Sequence, residues 1–75
     1  MNKQRRKEVA EIIKKLDEIK DELECVKDEE EEAKENYPEN LQQTDRYYAM
    51  EEALDQLEEA FGALEEAIDC LQSIE

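Results

Sequence analysis

The sequence contains no histidine and no tryptophan, one glycine and one proline, and its only aromatic side chains are Tyr37, Tyr47, Tyr48 and Phe61. Without histidine, an imidazole general base and the Glu-x-x-His metal sites of di-iron bundles are excluded, so neither an enzyme nor a metal protein of that kind is expected. Calcium would need a looped oxygen cage that a continuous helix does not offer. No catalytic residue, cofactor or metal is therefore assigned. Met1 to Lys7 carries four basic residues, but no apolar stretch of signal or membrane-spanning length follows it. Cys25 and Cys70 are too few for a secreted disulfide scaffold and lack CxxC spacing, so reduced thiols and a cytoplasmic location are expected.

What the chain has in abundance is acid. Twenty-four Asp and Glu stand against ten Lys and Arg, a net charge of −14 over 75 residues. Such a balance disfavours direct binding to nucleic acid or an anionic membrane and favours a basic protein surface as partner. The acid is unevenly spread: residues 1 to 20 hold seven basic and four acidic side chains, and residues 21 to 75 hold three basic and twenty acidic. Composition alone could suit a disordered chain, but the apolar residues recur at fixed spacing.

That spacing is heptad. Val9, Ile12, Leu16, Ile19, Leu23 and Val26 alternate steps of three and four, and the register continues through Glu30 to Ala33 and Tyr37. Tyr47, Met50, Leu54, Leu57, Phe61, Leu64, Ile68 and Leu71 repeat the pattern in the second half. There the repeat is also one of sequence, since Met50, Leu57 and Leu64 each open a heptad beginning with an apolar residue followed by Glu-Glu-Ala. Between the halves, Pro38 removes a donor and pushes Tyr37 out of helical conformation, while Thr44 is placed to cap a second helix with Asp45 in its first turn. The expectation is one all-α domain spanning residues 1–75: helix 3–36, loop 37–43, helix 44–73.

Two helices of ~50 and ~45 Å joined by a short loop must run antiparallel. Facing residues in such a hairpin have numbers with a constant sum, and eight successive pairs, from Val9 with Leu71 to Ala33 with Tyr47, all sum to 80. The same register puts Cys25 and Cys70 ~20 Å apart, too far for a bridge. It also sets the basic N-terminal segment beside Glu65, Glu66, Asp69 and Glu75. A chain this short buries only ~60% of its unfolded surface, so a lone copy is marginal. The second helix keeps a spare apolar stripe at Ala53, Ala60, Ala67 and Ile74, whose small residues allow close approach. Self-association of the antiparallel helical hairpin through that stripe, into a homodimeric four-helix bundle, is expected.

Two surface features are candidates for partner binding. Glu51 and Glu52 recur one heptad on as Glu58 and Glu59, and with Asp28, Glu29, Glu31, Glu32 and Glu35 they form an acidic face able to imitate a phosphate backbone. Solvated helix positions also favour Glu for its helix propensity alone. Tyr37, Tyr47 and Tyr48 cluster at the loop, either capping the core or offering an aromatic hot spot. Glu30, charged at a core position, either marks an opening in the bundle or snorkels near the turn.

The loop Asn36-Tyr37-Pro38-Glu39-Asn40-Leu41-Gln42, followed by Tyr47 and the Glu-Glu-Ala heptads, resembles small uncharacterised acidic helical-hairpin proteins encoded by phages and prophages of Gram-positive bacteria. The resemblance implies an accessory protein of a mobile element acting in the host cytoplasm, such as an inhibitor of a defence nuclease or transcription factor, and supplies no catalytic residue. Gly62 departs from the acidic or alanine residue of the pattern. The alternative from a different class is a structural or adaptor coiled coil that binds a partner helix through the alanine face.

Overall fold

The computed structural model describes residues 1–74; Glu75, expected beside the basic N-terminal segment, lies outside them. The chain forms α1 over Lys3–Glu35, a single 3-10 turn over Glu39–Leu41 and α2 over Asp45–Gln72. The two helices pack along their lengths into an antiparallel hairpin measuring 59 × 15 × 12 Å. Its radius of gyration is 17.3 Å, against ~11 Å for a compact domain of this length, so the molecule is a rod with a seam rather than a globule with a centre.

Local chemistry sets each end. Asn2 caps α1, its side-chain oxygen accepting from the Arg5 amide at 2.8 Å. At the other end the Asn36 amide donates to the Glu32 carbonyl and the Tyr37 amide to the Lys34 carbonyl, after which Pro38 takes up extended backbone at φ −55°, ψ 134°. The connection is more ordered than a plain loop. Leu41 donates to the Pro38 carbonyl at 2.9 Å, Thr44 to the Leu41 carbonyl at 3.2 Å, and the Gln42 side-chain amide reaches the Tyr37 carbonyl at 3.4 Å. Thr44 then caps α2: its hydroxyl donates to the Leu41 carbonyl at 2.8 Å and accepts from the Tyr47 amide at 3.4 Å. Asp45 lies in the first turn, where the helix dipole favours it.

The seam is where the structure departs from the heptad expectation. Along α1 the buried and half-buried positions are Val9, Ile13, Leu16, Lys20, Leu23, Lys27, Glu30 and Lys34, whereas Ile12, Ile19 and Val26 are 47%, 49% and 50% exposed. The helix is turned by about 50° from the expected orientation. Lys34 pairs with Glu51 at 3.6 Å and Tyr37, just past the end of α1, meets Tyr47 at 5.7 Å, whereas the expected register set Ala33 opposite Tyr47. Ile13 takes the seam position expected for Ile12, and Lys20, Lys27 and Lys34 take those expected for Ile19, Val26 and Ala33. The physical reason is the lysine stem. Lys20, Lys27 and Lys34 are half-buried, the Lys20 and Lys27 ammonium groups lying 5.7 and 5.1 Å from the Phe61 centroid and that of Lys34 5.7 Å from the Tyr47 centroid. Hydrocarbon carried by a charged residue fills the seam, and Ile12, Ile19 and Val26 are left outside it.

Very little is deeply buried as a result. Among the described residues only Ile13, Leu54 and Ile68 fall below a tenth exposed, and no side chain is fully enclosed.

Candidate interaction surfaces

The hairpin has two long sides, and the groove beside the loop on each shows which residues share it. One groove brings together Ala33, Tyr37 and Pro38 from the α1 end with Arg46 and Met50 of α2. Ala33 continues the line of Ile12, Ile19 and Val26 by one heptad, and Arg46 precedes Ala53, Ala60, Ala67 and Ile74 by one heptad. Both lines therefore run along the same side. Ala53 and Ala60 are exposed, Ala67 is half-buried, and Ile74 is 40% exposed. The turned α1 lays a row of branched side chains beside these positions.

The opposite groove is polar. It is lined by Glu31, Lys34 and Glu35 of α1 and by Tyr47, Glu51, Asp55 and Glu58 of α2, with Leu54 at its floor. Lys34 bridges it through an ion pair to Glu51 at 3.6 Å. This is the one ion pair among the described residues. The pairing expected between the basic N-terminal segment and Glu65, Glu66 or Asp69 does not form within 4.0 Å.

Of the nine carboxylates singled out from the sequence, the groove gathers Glu31, Glu35, Glu51 and Glu58. Asp28, Glu29, Glu32, Glu52 and Glu59 are exposed but lie outside it. At 100° per residue, Glu52 and Glu59 occupy the back of α2, away from α1. Asp55 belongs to the acidic groove and was missed by the heptad reading because it stands outside the repeated Glu-Glu pairs; its i+4 relation to Glu51 was the available signal. Glu30 is half-buried.

The tyrosines divide between the two roles. Tyr37 and Tyr47 are half-buried and pack edge to face at 79°, closing the loop end of the seam. Tyr48 stands edge-on to Tyr47 at 6.3 Å and is 52% exposed, so it alone offers its ring to a partner. Cys25 and Cys70 are both free and exposed. No helix is long and apolar enough to cross a membrane, and no group of three or more Cys, Asp or Glu side chains is placed to hold a metal ion among the described residues. No protein-family model matches the chain, and neither a curated protein nor a solved structure matches it significantly.

Proposed function

We propose that this chain is a small non-enzymatic binding protein that self-associates and uses its acidic body to occupy the basic, nucleic-acid-binding surface of another protein. The observation that carries this reading is charge left unanswered. Residues 21 to 63 hold sixteen carboxylates and three basic side chains, and only Glu51 among those carboxylates is in an ion pair. All sixteen are exposed save the half-buried Glu30 and Glu51. A field of that sign and density on a rod attracts a cationic groove and competes there with phosphate. The loop motif supports the phage-type form of this reading, an inhibitor of a host defence nuclease or a similar DNA- or RNA-binding protein.

A second reading is favoured by the exposed Ile12, Ile19 and Val26: an adaptor that docks a partner helix on its apolar side, with the acid only solubilising it. Ionic strength separates the two. Capture of a basic protein from a bacterial lysate, at low and high salt and with duplex DNA as competitor, is compared for the parent and for a variant with Glu51, Glu52, Glu58 and Glu59 changed to Lys. Under the acidic reading, capture falls steeply with salt, DNA displaces the partner, and the variant captures nothing while keeping its helical circular dichroism. Salt-insensitive capture by both proteins sinks it in favour of the adaptor.

A further inference from the structure

The side of the hairpin that carries Ile12, Ile19 and Val26 next to Ala53 and Ala60 is more than a stripe of small residues. It joins the exposed branched side chains of one helix to the alanines of the other, in two parallel rows that share a groove at their loop end. We propose that this joint face receives a second copy of the chain, face to face and with the two loops at opposite ends of the assembly. The inference rests on the self-association in the proposed function and deepens it: the sequence puts the contact on α2 alone, whereas the structure puts α1 in it equally.

Three observations select a second copy. The first is size. A face at most 59 Å long and 15 Å wide bounds the contact at roughly 900 Å² per copy, room enough for a two-fold interface of standard size. The second is need, because three buried side chains make a meagre core for 75 residues. Closing the open side of both hairpins at once converts two seams into a single four-helix core. The third is symmetry: an isologous contact requires a face complementary to itself, and rows of neutral aliphatic groups meet their own copies without clash of charge.

Charge then chooses between the two possible orientations. The terminal half of the hairpin, residues 1 to 20 with 64 to 74, holds seven basic and seven acidic side chains. The loop half, residues 21 to 63, holds three basic and sixteen acidic. Stacking loop over loop sets two strongly acidic halves against each other. Stacking loop over termini sets each acidic half against a neutral one containing Lys7, Lys14 and Lys15, and is favoured by Coulomb repulsion alone. In that orientation α2 lies on α2 of the other copy, where Ala53 and Ala60 permit close approach, and α1 lies on α1, where Ile12, Ile19 and Val26 need more room. The dimer is then a rod with an acidic pole and an exposed Tyr48 at each end, a bivalent ligand for basic surfaces.

Two measurements on the full-length chain test this. Sedimentation gives the mass, expected to be twice the 8.9 kDa of one chain and to fall to one chain in Ile19→Glu and in Ala60→Glu. Should those variants unfold, the parent's melting temperature must still rise with protein concentration, as mass action demands of a dimer. A spin label at Asn40→Cys, in a Cys25→Ser, Cys70→Ser background, reports orientation: the labels should lie on the order of 50 Å apart. A parent that is monomeric at high micromolar concentration overturns the proposal, as does a dimer unmoved by either face substitution. Labels within about 20 Å of one another overturn the orientation. None of these readouts involves the basic partner, so a failed dimer and a failed acidic interface remain distinguishable.

Discussion

The two long sides of the hairpin solve the same problem differently. On one, half-buried Lys20 and Lys27 bring their ammonium groups to the Phe61 ring, and Lys34 brings its own to Tyr47 in a groove it shares with Glu31, Glu35, Glu51 and Glu58. That side is finished: its apolar groups are covered and its rim is charged. On the other, Ile12, Ile19 and Val26 stand about half exposed. The difference teaches that heptad periodicity marks positions facing some helix, without saying whether that helix belongs to the same chain.

The comparison breaks most sharply at the few residues common to every arrangement. Leu54→Asp or Ile68→Asp places a carboxylate at a buried layer and should cost more than ~3 kcal/mol, enough to abolish the helical signal of a domain this small. Ile19→Asp, on the open side, should leave the helical circular dichroism of the hairpin largely intact in stabilising osmolyte. Equal loss of helix in both would mean that the open side is as much core as the seam.

A smaller effect sharpens the account of the covered side. Lys27 is half-buried, with its ammonium 5.1 Å from the Phe61 ring centroid. Lys27→Met keeps the stem and should cost at most ~0.5–1 kcal/mol in urea denaturation, the worth of an exposed cation–π contact. Lys27→Ala loses the covering hydrocarbon as well, and should cost about twice that. If Met and Ala behave alike, the charge rather than the stem holds α1 in its turned orientation.

This lysine effect also explains what could and could not be read from the residues in order. The α2 seam from Tyr47 to Leu71 follows its heptads because each core letter is an apolar side chain, and the ends of both helices follow Pro38 and Thr44 because their chemistry is local. In α1 the apolar letters trace Ile12, Ile19 and Val26, yet Ile13 and three lysines face α2. Apolar periodicity is blind to methylenes that end in a charge. The acidic face was legible as exposure, since Glu at outer helix positions has nowhere to hide. Which carboxylates share a groove was not, because the turn of α1 against α2 decides it: Glu31 and Glu35 share their groove with Glu51, Asp55 and Glu58.

Removing the α2 cap tests the loop end by itself. Thr44→Ala deletes the hydroxyl that accepts from the Tyr47 amide and donates to the Leu41 carbonyl, and should destabilise the protein by ~1 kcal/mol. Thr44→Ser should restore most of that stability. Failure of Ser to do so would show that the methyl group, not the hydroxyl, matters at this half-buried position.

The smallest expected change is a gain, and it falls on the covered side. Gly62 lies within α2, follows Phe61 directly, and a methyl group added to it would meet no atom within 4 Å. Nothing in the backbone requires glycine there, since no glycine of the chain has a positive φ. Gly62→Ala should therefore remove a helix-interior penalty and stabilise the hairpin by ~0.5–1 kcal/mol, partly by restricting the unfolded chain. For a domain of this size that corresponds to roughly 2–8 °C in melting temperature. By helical geometry position 62 points away from the Ile19 and Ala60 side, so the substitution should raise the melting temperature without altering sedimentation. A variant that melts higher but also changes mass would show that α2 must bend at Gly62 for two copies to meet, and a variant that melts lower would mean the glycine is occupied by a contact the isolated hairpin does not contain.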